Sequence, residues 1–303
     1  MNDAASRFSA FEAAAWSERA ESYGRLTGRI TARVADTLLD AAGVGSGTRV
    51  LDVGCGPGVV LAAALARGAR PSGIDISPGM VAEARRRHPG LEIATADVTD
   101  LPFPDGAFGA AVGNFVLNHL PEPERAVAEV HRVLASGGGV ALSLWDHPER
   151  ARWLGLVSDA LREEGIAPPP SVADSPPSYR FADPLAMRAV LEGAGFSGAR
   201  VEAVSLIATV VDAGELWDGV LGGSVRTSAT ILAQPEAVQV RVRAALERRA
   251  EAYRGPGGLA LPVSVVIGVV PGLERRAQED GRPHRRAAPM TTETGSPRPP
   301  GPR

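Results

Sequence analysis

The chain has 303 residues, of which 44% are apolar and 22% charged, and its formal net charge is −3. That length suits one large domain or two small ones, and the near-neutral balance supplies no basic footprint for nucleic acid. The single cysteine, Cys55, excludes an internal disulfide. The first ten residues lack the apolar core of a signal peptide, and no apolar run approaches the ~20 residues that span a bilayer, so a cytoplasmic chain without a membrane partner is expected.

In chain order, apolar residues recurring at three and four from Phe8 to Ala42 predict one or two helices, with Gly24 and Gly28 as breaks. Arg49–Val53 follows as a buried strand, then a glycine turn and a helix over Val59–Arg67. Pro71–Ile76 predicts a second strand. Ser77 caps a helix over Gly79–His88, with Pro78 fitting its first turn. Strands are expected at Leu91–Ala96, Phe108–Leu117 and Gly139–Trp145, with a helix over Glu122–Leu134. Strands alternating with helices imply a parallel sheet covered on both faces. Beyond Trp145 the pattern is less regular. Helices are expected over Pro148–Gly165, from Asp183-Pro184 to Gly193, over Ala213–Leu221 and over Pro235–Tyr253. Strands are expected at Ala199–Val211 and Leu261–Val270. The proline-rich stretch from Ala167 to Pro177 is expected as loop. From Pro271 onward nothing can bury a core, so 271–303 is expected to be disordered.

Chemistry concentrates at the ends of the predicted strands. Arg49-Val50-Leu51-Asp52-Val53-Gly54-Cys55-Gly56-Pro57-Gly58 feeds a strand through a glycine turn into a helix N-terminus, where backbone N–H groups favour an anionic group. The spacing is G-x-G-x-G with an acid two residues before the first glycine. The dinucleotide fingerprint is G-x-G-x-x-G, so the spacing disfavours a redox dinucleotide enzyme. Cys55, inside the loop, has the character of a small packed residue. Asp75 ends the second strand roughly 20 residues past the loop, where an acid accepts from ribose hydroxyls. Asp97 ends the third strand. Gly113–Pro121 ends the fourth and carries Asn114, Asn118 and His119; with an ordinary pKa near 6.5, His119 suits removal of a proton. No set of residues suggests a metal.

Asp52 with Gly54, Gly56 and Gly58, together with Leu101-Pro102-Phe103-Pro104-Asp105-Gly106-Ala107-Phe108, resembles the class I S-adenosylmethionine-dependent methyltransferases. The likeness is to the small-molecule, ubiquinone/menaquinone-methylase-like branch and covers Val44 to Asp146. It implies an α/β, Rossmann-like, doubly wound and mostly parallel sheet of seven strands. Residues 1–42 would form a helical cover and 43–270 the methyltransferase domain, with helical substrate-lid insertions at about 147–180 and 212–260. It also implies S-adenosylmethionine as cofactor and S-adenosylhomocysteine as product. Asp52, Gly54, Cys55, Gly56 and Gly58 would then hold the methionine end and Asp75, with Ile76, the ribose. Asp97, the Val98 backbone and Met80 would meet the adenosine, and Asn114 the methyl region. Tyr23 and Trp16 lie in the segment that covers the cofactor in such proteins, where an aromatic face suits a sulfonium. The implied activity is methyl transfer to a small organic acceptor in specialised or quinone-like metabolism, with His119 as the candidate base.

Two rivals share this pattern: a non-methylating enzyme of the same fold, such as a cyclase, and a cofactor-binding regulatory protein. Trp145, Trp153, Tyr179, Trp217 and His147 are candidates for an acceptor pocket. Oligomeric state is not legible.

Overall fold

The computed structural model describes residues 3–169, 172 and 175–272. The expected disordered tail, apart from Pro271 and Gly272, lies outside the described residues. Helix α1 (Asp3–Arg19) and α2 (Thr27–Ala41) flank a 3-10 turn at Tyr23–Arg25. Then come β1 (Arg49–Val53), α3 (Val59–Ala66), β2 (Arg70–Asp75), α4 (Pro78–Arg87), β3 (Glu92–Thr95) and β4 (Phe108–Asn114). They are followed by α5 (Pro123–Val133), β5 (Leu134–Trp145), α6 (Arg152–Glu163), α7 (Pro184–Gly193) and β6 (Arg200–Val210). The chain continues through α8 (Ala213–Gly223), α9 (Arg226–Leu232), α10 (Glu236–Ala250), the two-residue β7 (Arg254–Gly255) and β8 (Gly258–Val270).

Local chemistry sets several starts. The Ser77 hydroxyl accepts from the Met80 N–H with Pro78 in the first turn of α4. Asp183 accepts from the Leu185 N–H at α7, and Asp212 from the Glu215 N–H at α8. In each case a side-chain oxygen satisfies one of the helix's free first-turn donors. Helix α2 buries Ile30, Val34 and Leu38, four residues apart and therefore on one face.

The strands form one sheet in the order β3-β2-β1-β4-β5-β8-β6, with β7 paired to β8. Neighbours from β3 to β5 run parallel, and β8 is antiparallel to both β5 and β6. The sheet is therefore mostly parallel, as expected, and has eight strands once the short β7 is counted. In β1, Val50 joins the apolar cluster on one face, while Leu51 and Val53 join the cluster on the other. This is the period-two alternation of a strand buried on both sides.

Strand order reverses at β1, which has β2 on one side and β4 on the other. Ligands of open α/β sheets bind beyond the carboxyl ends of strands at such a switch point. Here that point is the loop after Val53 and the turn after Asn114.

Several elements differ from the sequence expectation; α6 begins at Arg152 rather than Pro148, and β8 at Gly258 rather than Leu261. Strand β4 stops at Asn114, before Leu117, because Phe115 turns to φ 63° and Leu117–His119 winds into a 3-10 turn. Strand β5 begins at Leu134, earlier than Gly139. Helix α9 was not anticipated: its Arg-Thr-Ser-Ala-Thr-Ile-Leu sequence is rich in residues with low helix propensity. Among the described residues no helix is long and apolar enough to cross a membrane.

Candidate active site

The glycine loop is built to leave room. Gly54 has φ 68°, and a Cβ there would lie 2.5 Å from Val116 Cγ2. Gly56 has φ 51°, and a Cβ there would meet no atom within 4 Å. The first glycine lets the turn after β4 approach, and the second opens the loop backbone toward the cavity. Gly58 starts α3 and faces the His88 ring. Cys55 is buried beside Gly73, and burial raises its thiol pKa well above the usual value, which disfavours a nucleophilic role.

Two carboxyls stand beside this loop. Asp75 is held by backbone donors: Oδ2 accepts from Gly56 N at 2.9 Å and Oδ1 from Ser77 N at 2.8 Å. Burial raises its pKa, and these hydrogen bonds oppose the rise. Asp52 is 2% exposed, and neither of its carboxyl oxygens has a hydrogen-bond partner. Burial first, and the Asp75 charge second, push its pKa well above the carboxylate range. A buried acid without a donor is costly unless a ligand supplies one.

A cavity of about 160 Å³ runs outward from this loop. One end is walled by Gly54, Gly56, Asp75, Ile76, Met80, Asp97 and Val98. The Asp97 Oδ1 accepts from both the N–H and the hydroxyl of Thr99, each at 2.9 Å, which fixes the direction of the carboxyl. Tyr23 and Asn114 also line the cavity and share an adjoining recess with Asp52 and Cys55. Burial raises the Tyr23 phenol to about 12, so it stays neutral, and its oxygen lies 3.3 Å from Thr31 Oγ1. The Asn114 amide donates to Thr31 O at 3.2 Å and accepts from Ser143 Oγ at 2.7 Å, so it ties α2 to the sheet as well as facing the cavity.

The other end is aromatic. Phe115 stacks on Trp145 with ring centroids 3.8 Å apart, and Trp153 meets Trp145 edge-on at 5.0 Å. Tyr179 and Leu154 complete this wall, whereas Trp217 and His147 lie off it. The Trp153 indole nitrogen is buried without a partner.

Helix α1 closes the cavity with Ser9, Glu12 and Trp16, three residues at helical spacing. It is anchored on both sides. Ser17 Oγ lies 2.9 Å from Ser77 Oγ at the start of α4, and Arg19 reaches Ser224 O and Ser228 Oγ around α9. His119 sits under α1. Its Nδ1 is 2.9 Å from Glu12 Oε2, and its ring meets the edge of Trp16 at 5.3 Å.

The structure thus gathers Gly54, Gly56, Asp75, Ile76, Met80, Asp97, Val98, Asn114, Tyr23 and His119 around one cavity, with Asp52 and Cys55 in the adjoining recess. Gly58 lines neither. Sequence reasoning missed Glu12 and Arg226, which also line the cavity, and included Phe115 only as part of the run Gly113–Pro121, without a role of its own. Phe115 lay inside the expected strand Phe108–Leu117, and nothing local marked Glu12 or Arg226.

A methyltransferase-domain family matches residues 51–142, from the first strand of the switch point to the middle of β5. A demethylmenaquinone methyltransferase of Beutenbergia cavernae is 32% identical over 168 residues, covering 53% of this chain and 70% of that protein. The chain belongs to the class I S-adenosylmethionine-dependent methyltransferases. A trans-aconitate 2-methyltransferase of Methylobacterium nodulans is 40% identical to this methyltransferase over 122 residues, covering 39% of this chain and 46% of the relative. The chain spans between 34% and 57% of the length of the first curated relatives it matches. In fold it is similar to a proposed methyltransferase of an antibiotic biosynthesis pathway in Anabaena variabilis. The TM-score is 0.54 at 17% identity, covering 78% of this methyltransferase and 97% of the other chain.

Proposed function

We propose that this methyltransferase binds S-adenosylmethionine in the polar end of the cavity and methylates a small organic acceptor seated at its aromatic end. The observation that carries this is Asp52, a buried carboxyl with both oxygens unpartnered, next to an open glycine loop. An ammonium group is the partner this acid lacks. Asp75 and Asp97 add two oriented carboxyls for hydroxyl and amino donors. Met80, Ile76 and Val98 provide apolar walls between them.

When bound, S-adenosylmethionine supplies an electrophilic methyl group, so the hard chemistry is the cofactor's. The protein's share is placement. Holding two reactants close and in line is worth about 7–11 kcal/mol. Here Phe115, Trp145, Trp153 and Tyr179 would seat the acceptor body, with α1 above it. The Phe115 backbone at φ 63° is a strained position for a residue with a side chain. Its N–H is held by Ser143 O at 3.0 Å and Ser143 Oγ at 3.1 Å, which keeps the ring on Trp145. His119 would take a proton where the acceptor must lose one. Helices α6, α8, α9 and α10 act in this proposal as the acceptor lid, and residues 1–42 as the cover.

Two relatives are named for demethylmenaquinone and trans-aconitate, both small organic molecules, and this supports an acceptor of that class, in specialised or quinone-like metabolism. The test is calorimetric titration of the full chain with S-adenosylmethionine and S-adenosylhomocysteine. Micromolar binding of either is expected, and no binding of either at millimolar concentration overturns the proposal.

A further inference from the structure

Glu12 is 2% exposed and Arg226 8% exposed. Both line the cavity. A carboxylate only accepts hydrogen bonds, so the contact of 2.9 Å between Glu12 Oε2 and His119 Nδ1 requires a proton on Nδ1. In the neutral ring the lone pair then belongs to Nε2. On that side the Asn118 amide nitrogen, a donor, lies 3.3 Å from Nε2. Both neighbours therefore demand the same tautomer.

A second charged group faces the Glu12 carboxylate. Arg226 Nε stands 3.6 Å from Glu12 Oε1 and supplies the compensating positive charge. The guanidinium is fixed by Asn118 O at 2.7 Å and Pro176 O at 2.8 Å. Asp75 is the other acid that senses His119. Glu12 Oε1 itself has no hydrogen-bond partner, so His119 holds the carboxylate's hydrogen bond while Arg226 stands as its countercharge.

We propose that Glu12 is a positioning residue: it holds His119 as the Nδ1–H tautomer so that Nε2 faces the acceptor with its lone pair. The inference rests on the methyltransferase proposal above and narrows its acceptor to molecules whose nucleophilic atom carries a removable proton, such as a hydroxyl. The acceptor's O–H displaces the long Asn118 contact. Its O–H bond breaks, an Nε2–H bond forms, and the electron pair stays on oxygen. The resulting imidazolium is held by Glu12 through Nδ1–H. The arrangement follows the logic of a base oriented by a third group.

The experiment is nitrogen-15 imidazole spectroscopy on the full chain with labelled histidine, above the pH at which the ring becomes neutral, with His119→Asn identifying the signal. The wild-type chain is expected to show His119 as Nδ1–H. Glu12→Gln, whose amide can donate to Nδ1 or accept from it, is expected to move most of the signal to the Nε2–H form, while S-adenosylhomocysteine affinity changes less than about threefold. A wild-type His119 in the Nε2–H form overturns the inference, and so does an unchanged tautomer in Glu12→Gln. The wild-type spectrum decides alone if the variant does not fold. Loss of S-adenosylhomocysteine binding by the wild-type chain instead counts against the methyltransferase proposal, so the two failures are distinguishable.

Discussion

Asp52→Asn separates what the buried acid does for the ligand from what it does for the fold. Both carboxyl oxygens lie buried without a donor, so in the ligand-free protein the ionised group has nothing to hold it. An unsatisfied buried polar group costs about 1–3 kcal/mol, and a charged one more. The asparagine variant keeps the shape and removes the charge. The folded pKa of Asp52 is raised, so its share of stability is full below the ordinary carboxylate range. That share is lost as pH rises through the raised folded value. The variant should therefore melt close to wild type near pH 4 and above it at pH 8. The gain should be at least about 1 kcal/mol, or about 2–4 °C in a domain of this size. Binding should move the other way. A charge-assisted hydrogen bond contributes about 1.5–3 kcal/mol, and each 1.4 kcal/mol is about tenfold, so S-adenosylhomocysteine should bind about 10- to 100-fold more weakly. Scanning calorimetry at both pH values and titration calorimetry at pH 8 read the two effects. A variant that melts below wild type at pH 8 would mean that the carboxylate has a partner in the fold. Unchanged affinity would mean that the ligand does not meet Asp52.

The same acid predicts proton release on binding. A cation at Asp52 lowers its raised pKa, so affinity should rise with pH up to the folded value, and binding heats should differ between buffers of unlike ionisation heat by more in wild type than in Asp52→Asn. The glycine loop predicts a contrast. Gly54→Ala places a Cβ 2.5 Å from Val116 Cγ2 and should lower the melting temperature by many degrees, whereas Gly56→Ala meets open space, costs about 1–2 kcal/mol of left-handed backbone strain and should lose S-adenosylhomocysteine affinity out of proportion to stability. At Phe115, φ 63° reverses the usual ranking of small residues: Phe115→Ala should cost about 3–5 kcal/mol, and Phe115→Gly should be more stable than Phe115→Ala by about 1 kcal/mol. Denaturant melts of the two variants check this, and an alanine variant as stable as the glycine variant would count against a strained backbone at that position.

The part of the cavity that the proposal gives to the donor was legible as a site because it is local. Val50, Leu51 and Val53 form an apolar run that only a fully buried strand tolerates, and glycines punctuate its end. Asp75 and Asp97 stand at the ends of the next two strands, so a strand prediction is also a site prediction. The part that the proposal gives to the acceptor was not legible because nothing local marks it. The apolar run Phe115-Val116-Leu117 looks like more strand, yet the chain turns at Phe115. The turn survives only through the stack on Trp145 and the bonds to Ser143, residues of a different strand. Helix α9 hides in a stretch of threonine and serine for the same reason: it is held by α8 and α1 more than by its own propensity.

The division has a chemical consequence. His119 stood in view as a histidine after a strand, and sequence alone could not tell a base from a loop residue. What gives it direction is Glu12 from α1 and Arg226 from α9, far from His119 in the chain and joined to it only by the fold. In the proposed arrangement Asp52 and Asp75 stand on strands β1 and β2, whereas Glu12 and Arg226 stand on helices α1 and α9. Substitution in α1 or α9 can therefore alter acceptor chemistry while leaving Asp52, Gly56 and Asp75 in place. Arg226→Met illustrates the point: it should remove the countercharge of Glu12 and the anchor at Asn118 O, and so disturb the setting of His119, while shifting S-adenosylhomocysteine affinity by less than about threefold. A changed His119 signal in the imidazole spectrum with cofactor affinity retained supports this separation, and a matching loss of affinity would show that the two ends of the cavity are not independent.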